Sequence, residues 1–266
     1  MAAGTRWVRL EGAVNVRDVG GLATADGGTT APGRLLRADN LQDLTPTDVR
    51  RLVDEHGLRQ VIDLRTGVEV VAEGPGPMHA APEVDIEHLS LFPEAGRTTD
   101  SAAADVLPWH SDGRRDELAE MSAAERSAAY YLGYLRDRPD NIVAALRVIA
   151  ARREGATLVH CAAGKDRTGV VVALALTVAG VDRDAIVSDY VATAEVLEPL
   201  VARLRKSPTY AADTAGRPLD SHRPRPETLY RLLDTLDAEC GSPEGWLVRH
   251  GFGGTDQIAL RRRLTA

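Results

Sequence analysis

His160-Cys161-Ala162-Ala163-Gly164-Lys165-Asp166-Arg167-Thr168-Gly169 is the stretch that most narrows what this chain can become. A short run, Thr157-Leu158-Val159, leads into it, and a long apolar helix, Gly169 to Ala179, leads away. Strand, small-residue loop and helix start together make an anion cradle. The loop N–H groups converge on one point, and the helix dipole adds partial positive charge there. Cys161 opens the loop, and Arg167 closes it six positions later as the helix begins. Phosphate suits this arrangement.

Each residue type has a chemical reason to be there. A thiolate attacks phosphorus well, whereas a free cysteine thiol is mostly protonated at neutral pH. A helix N-terminus ringed by donors and cations favours the thiolate, which marks Cys161 as the candidate nucleophile. Arg167 offers a planar fork matched to two phosphate oxygens. The Thr168 hydroxyl can steady the sulfur as a leaving group. Ala162, Ala163 and Gly164 are small enough for the backbone to close on an anion. Gly164-Lys165 also invites a nucleotide-binding reading, but that motif needs glycine five positions before Gly164 and Ser or Thr after the lysine. Val159 and Asp166 occupy those places, so it is rejected.

The decad resembles the active-site signature of cysteine-dependent phosphatases. Its Gly-Lys-Asp-Arg-Thr-Gly half resembles the bacterial tyrosine/serine protein phosphatase family, which includes secreted phosphatases with phosphoinositide activity. Asn15-Val16-Arg17-Asp18-Val19-Gly20-Gly21, Gly33-Arg34-Leu35-Leu36-Arg37 and Val61-Ile62-Asp63-Leu64-Arg65, with Glu69 beyond, are similar to further elements of that family. The likeness runs from about Asn15 to the C-terminus. It implies Cys161 as nucleophile, Arg167 as phosphate clamp, Lys165 as a second cation facing substrate, and Asp166 as a general acid within the loop. It also implies a phosphorylated protein or phosphoinositide substrate, and helical lid segments over the pocket within residues 182–225. Asp63, Glu94 and Asp112 remain rival candidates for the acid. Asp63 and Arg65 lie at a strand end from which they could reach the pocket, or they could pair with each other.

A single α/β domain over residues 1–266 is expected, with a mostly parallel central sheet and helices on both faces. Thr45 and Pro46 start a helix that Gly57 ends, and a strand spans Gln60 to Leu64. Glu87 to Phe92 reads as another strand. Ser122-Ala123-Ala124-Glu125 is a capping box, and Pro139 opens the crossover helix leading to Thr157. Residues 95–121, rich in Ala, Asp, Gly, Ser and Thr, read as a mobile surface insertion holding Trp109 and His110. Val187, Tyr190, Val191, Ala194 and Leu197 begin a helical stripe in the second insertion, and basic residues follow it.

The net charge of −7 argues against a nucleic-acid binder or a membrane-coating protein. The apolar run from Val170 to Ala179 is far below the roughly 18 residues of a span. Two distant cysteines suggest a reduced compartment. Met1 to Leu10 carries no apolar leader core, so a cytoplasmic site is expected, with export by another route open. Lys165 is one of two lysines against thirty arginines, so its compact ammonium looks chosen. The reaction expected is two-step phosphomonoester hydrolysis, with no metal or other cofactor. The alternative is a phosphate-binding module or inactive relative. Retention of Cys161 beside Arg167 speaks against it.

Overall fold

Alternation along three strands divides the protein into two cores. The computed structural model describes residues 6–93, 121–152 and 154–265. Leu35, Ile62 and Val159 face one apolar cluster, while their neighbours Leu36, Val61 and Leu158 face the other. A period of two across a sheet covered on both faces produces this split.

In chain order the elements begin with β1 (Arg17–Asp18), β2 (Leu35–Ala38) and α1 (Pro46–Arg50), whose path continues as a π-helical turn over Arg51–Glu55. Then come β3 (Leu58–Asp63), α2 (Gly67–Glu73) and β4 (Asp85–His88). Helices α3 (Ala123–Asp137) and α4 (Pro139–Ala151) lead to β5 (Ala156–His160) and α5 (Asp166–Val178). The rest is helical: α6 (Arg183–Val191), α7 (Leu197–Lys206), α8 (Ala211–Thr214), α9 (Pro226–Cys240), α10 (Pro243–Arg249) and α11 (Gly254–Thr265). Short 3₁₀ turns join α6 to α7 and precede α9.

The sheet order is β1-β2-β5-β3-β4, with β1 antiparallel at its edge and the other four strands parallel. The α/β architecture with a mostly parallel sheet is thus the one the sequence implies. β5 is central, and all five of its residues are buried. Ala38, His160 and Asp63 are in register at the carboxyl edge. Ligands in open parallel sheets gather at that edge.

Local signals set most boundaries as expected. Thr45 and Ser122 each cap a helix with a reciprocal acidic partner three residues on, and so does Thr66, which the sequence reading did not single out. Gly57 leaves the first helical segment at φ +61°. Three details differ from the sequence reading. α5 starts at Asp166, three residues earlier than its apolar run, because the loop turns directly into the helix. The fourth strand is Asp85–His88 rather than Glu87–Phe92, since its pairing with β3 runs Gln60↔Asp85 to Asp63↔His88. The stretch 182–225 is not uniform: α6 is buried through Ile186, Val187 and Tyr190, whereas residues from Leu197 to His222 border a cavity. Apart from Met121, the expected insertion 95–121 lies outside the described residues.

Eleven of the thirteen residues of α5 are buried. Each buried Val or Leu there contributes about 1.5–3 kcal/mol relative to exposure. That anchoring fixes where the first turn of α5 meets the sheet edge.

Candidate active site

The loop after β5 leaves the sheet edge at Cys161 and is pinned by its own backbone. Gly164 takes φ +65°, and a Cβ there would stand 2.3 Å from the Ala38 carbonyl oxygen. Only glycine tolerates both conditions. The N–H groups of Ala162, Ala163, Gly164 and Lys165 have no acceptor among the described residues. The Ala162 carbonyl turns outward and accepts from the Asn40 N–H at 2.9 Å. His160 Nδ1 donates to the Cys161 carbonyl at 3.2 Å. Unpaired N–H groups facing one point beside a helix start form an oxyanion receptor.

Cys161 is 2 % exposed and borders a cavity of about 230 Å³. Opposite the loop, Leu197, Leu200, Val201 and Leu204 of α7 form an apolar wall, with Tyr130, Tyr131, Tyr134 and Tyr210 around the sides. Lys165, Arg167, Arg217 and His222 supply polar groups to the same cavity. An anion receptor under a largely apolar wall admits a phosphorylated group with a flat or greasy stem.

Arg167 is held by Glu69 in a two-point ion pair: Nη1 to Oε2 at 2.6 Å and Nη2 to Oε1 at 2.8 Å. Nη1 also donates to the Leu64 carbonyl at 3.3 Å. A guanidinium has five N–H bonds. These contacts take both from Nη1 and one from Nη2, which leaves Nε–H and one Nη2–H along a single edge. No other acceptor meets that edge among the described residues, so it is a fork for two phosphate oxygens. The Phe92 ring lies 5.3 Å from Arg167 Cζ and steadies the plane. Burial opposes the Arg167 charge, but Glu69 outweighs it and holds the guanidinium well above its ordinary range. Burial likewise pushes the Glu69 carboxyl up, and Arg167 more than reverses this. Both stay ionised.

Asp166 Oδ1 accepts from the Tyr131 hydroxyl at 2.6 Å and lies 3.6 Å from Lys165 Nζ. Tyr131 also shares a hydrogen bond of 2.8 Å with the Tyr190 hydroxyl. Burial first, then Asp166, pushes Tyr131 well above its ordinary range, so it stays a donor. Lys165 Nζ donates to the His222 carbonyl at 3.0 Å, which joins the loop to the segment across the cavity. Thr168 is fully buried, and its Oγ1 has no partner among the described residues.

A cysteine at the end of a strand, an amide cradle and an arginine with one edge unpaired among the described residues are the parts of a phosphate-handling thiol enzyme. The tyrosine phosphatase family model matches residues 8–266. The chain belongs to the tyrosine phosphatase family. This protein tyrosine phosphatase, a phosphoric monoester hydrolase, is 34 % identical over 273 aligned residues to a triple specificity protein phosphatase, PtpB, of Mycobacterium tuberculosis. The alignment covers 91 % of this chain and 93 % of that protein. It is also 28 % identical to a tyrosine-protein phosphatase of Nostoc commune, over 86 % of this chain and 73 % of the relative.

The phosphatase brings Cys161, Ala162, Ala163, Lys165, Asp166 and Arg167 to one cavity. It does not bring Asp63 there. Arg65 takes both Asp63 oxygens, with Nη2 to Oδ2 at 2.6 Å, and His160 Nε2 stands 3.8 Å away. Burial opposes the Asp63 charge, and His160 and Arg65 outweigh it, so the carboxyl is held far below its ordinary range. Such a group has no proton to give. Asp63 braces the strand end, and the rival pairing with Arg65 is the one observed. Glu94 and Asp112 lie outside the described residues.

Sequence reasoning missed the part Glu69 plays. Its signal was present: Thr66-Gly67-Val68-Glu69 is a capping box, and Glu69 Oε2 accepts the Thr66 N–H at 2.7 Å while it clamps Arg167. Tyr131 carried no local signal, because it meets Asp166 only through packing of α3 against α5. His222 and Tyr210 were equally silent, whereas Arg217 belongs to the run of basic residues that the sequence shows after the helical stripe.

Proposed function

We propose that Cys161 attacks the phosphorus of a phosphomonoester, forms a cysteinyl-phosphate, and is cleared by water. The observation that supports this most is the free edge of Arg167, fixed by Glu69, in the cavity where Cys161 sits. The loop N–H groups and Nε–H with Nη2–H of Arg167 hold the three non-bridging oxygens as charge shifts among them. Lys165 supplies further positive charge beside the scissile group. The Thr168 hydroxyl, unpartnered and buried, donates to the sulfur as it leaves. Asp166 keeps Oδ1 engaged by Tyr131, and Oδ2 carries the proton to the leaving oxygen and later takes one from water. The tyrosines and the α7 wall suit an aryl stem, so phosphotyrosine is the principal substrate. Phosphoserine and phosphoinositides are additional ones, a breadth in keeping with the mycobacterial relative's being a triple specificity phosphatase.

Residues 197–222 act in this reading as a lid. Arg203 on α7 pairs with buried Asp39, and with Asp43 at 2.9 Å. Ser207 donates to Glu73 at 2.6 Å. These contacts latch α7 to the sheet edge, and substrate entry requires them to open.

The test is phosphate release from phosphotyrosine, phosphoserine and phosphothreonine peptides and from phosphoinositides, with chelator present. Turnover that disappears in Cys161→Ser supports the mechanism, and the ranking gives the specificity. Tight phosphopeptide binding without turnover by the wild type would favour a binding module instead.

A further inference from the structure

The cradle works only while successive loop peptides keep their N–H sides inward. Two alanines and a glycine cannot enforce that alone, since small residues leave the backbone free to rotate. A peptide flip at Ala163–Gly164 or Gly164–Lys165 would replace an inward N–H with a carbonyl dipole aimed at the bound anion.

Two hydrogen bonds oppose such flips. Asn15 Nδ2 donates to the Ala163 carbonyl at 2.8 Å, and Arg37 Nη2 donates to the Gly164 carbonyl at 2.8 Å. Both donors trace back to one carboxylate on α6. Asp189 Oδ2 accepts from Arg37 Nη1 at 2.6 Å, while Oδ1 accepts from Arg17 Nε at 3.1 Å and Arg6 Nη1 at 2.9 Å. Arg17 Nη1 in turn donates to Asn15 Oδ1, which turns the amide so that Nδ2 faces Ala163. Asn15, Arg17, Arg37 and Asp189 are all 0–1 % exposed. Asp189 does not border the cavity. Burial opposes its charge, and the three arginines outweigh this, so it stays ionised.

We propose that Asp189 is a positioning residue for the reaction: through Arg37, and through Arg17 and Asn15, it keeps the Ala163 and Gly164 carbonyls turned out of the phosphate cradle. The claim rests on the reading of the loop as the phosphate site. It explains why a carboxylate more than twenty residues beyond the loop in sequence is buried among three cations. It also separates two duties of the arginines. Arg167 faces the anion, while Arg17 and Arg37 act from behind it.

The experiment is orthovanadate affinity, with KM and kcat on p-nitrophenyl phosphate, for wild type, Asp189→Asn and Asn15→Asp. Asn15→Asp keeps the shape and the acceptor for Arg17. It replaces the donor to Ala163 with an oxygen that repels that carbonyl. One lost hydrogen bond to a charged ligand corresponds to roughly tenfold to a hundredfold. Both variants, shown by thermal unfolding to be folded at the assay temperature, should bind vanadate weaker by about that factor and show raised KM. Variants that bind vanadate as wild type does would overturn the positioning role while leaving the cradle intact. Wild-type protein that binds no vanadate would overturn the cradle reading itself, and the positioning role with it.

Discussion

At the scale of single residues, the arrangement turns on how Arg167 divides its five donors. Glu69 and the Leu64 carbonyl take three, the remaining two lie on one edge, and Arg167 lines the cavity. Glu69→Gln keeps the shape but removes the charge that balances a buried cation. Breaking such a pair costs about 3–5 kcal/mol of stability. Phosphate affinity should also fall, because the fork is no longer held, and a phosphate titration alongside thermal unfolding separates the two effects. Tyr131→Phe frees Asp166 Oδ1, and the expected result is a fall in kcat that is larger for phenyl phosphate than for p-nitrophenyl phosphate. Acid catalysis contributes about 10²–10⁴-fold overall, and a misplaced acid loses part of that. Equal losses on the two substrates would detach Tyr131 from proton transfer. Cys161 and Arg167 were legible in the sequence because a strand, a small-residue loop and a helix start frame them, and Lys165 was legible through the family resemblance. Glu69 was half legible, as a cap whose second duty needs the fold. Asp63 looked available because strand ends are where ligands gather, yet Arg65 two positions on consumes both its oxygens.

Elements decide where those residues stand. β5 and α5 are buried almost throughout, so the loop between them has two rigid posts. Leu174→Ala in the middle of α5 should cost about 2–5 kcal/mol, read as a shift in denaturation midpoint. Gly164→Ala should abolish turnover more completely than it lowers stability, since the added Cβ meets the Ala38 carbonyl at 2.3 Å within the cradle itself. On the far side, α7 is joined to the sheet edge through Arg203. Arg203→Ala should speed alkylation of Cys161 by iodoacetamide, and an unchanged rate would argue against a latched lid. Helix starts were readable from Thr45, Ser122 and Pro139, because caps are local chemistry. The position of β4 was not, since its register is set by pairing with β3 rather than by its own residues. Nor could periodicity reveal that α6 joins the core while α7 borders the cavity, for both carry apolar stripes.

Over the whole molecule, buried ion pairs tie the site to the fold's acid stability. Asp63, Glu69 and Asp189 are each pushed up by burial and pulled below the ordinary carboxylate range by their partners. In the unfolded chain they titrate near their usual values of about 3.9–4.3. As pH falls, the unfolded state therefore takes up protons first, and the stability these groups contribute is lost through and below that range. It is fully present above about pH 5. Asp63→Asn should be less stable than wild type at neutral pH, and the gap should narrow as pH falls toward 3; a constant gap would show that the pair with Arg65 contributes nothing through its charge. Among the described residues no helix is long and apolar enough to cross a membrane. The network from Asp189 to Asn15 shows how distant parts of the chain converge on the five-residue loop between β5 and α5, and most of that convergence is invisible in sequence because every link except Arg17 to Asn15 joins residues far apart.

The central claim is that the phosphoryl group passes through Cys161. Acid-quenching the enzyme during turnover of p-nitrophenyl phosphate, then locating the phosphate by peptide mass spectrometry, tests it most directly. The expected result is phosphate on the peptide containing Cys161, absent in Cys161→Ser, with turnover abolished in the same variant. Phosphate on a different residue, or turnover that survives Cys161→Ser, would contradict it.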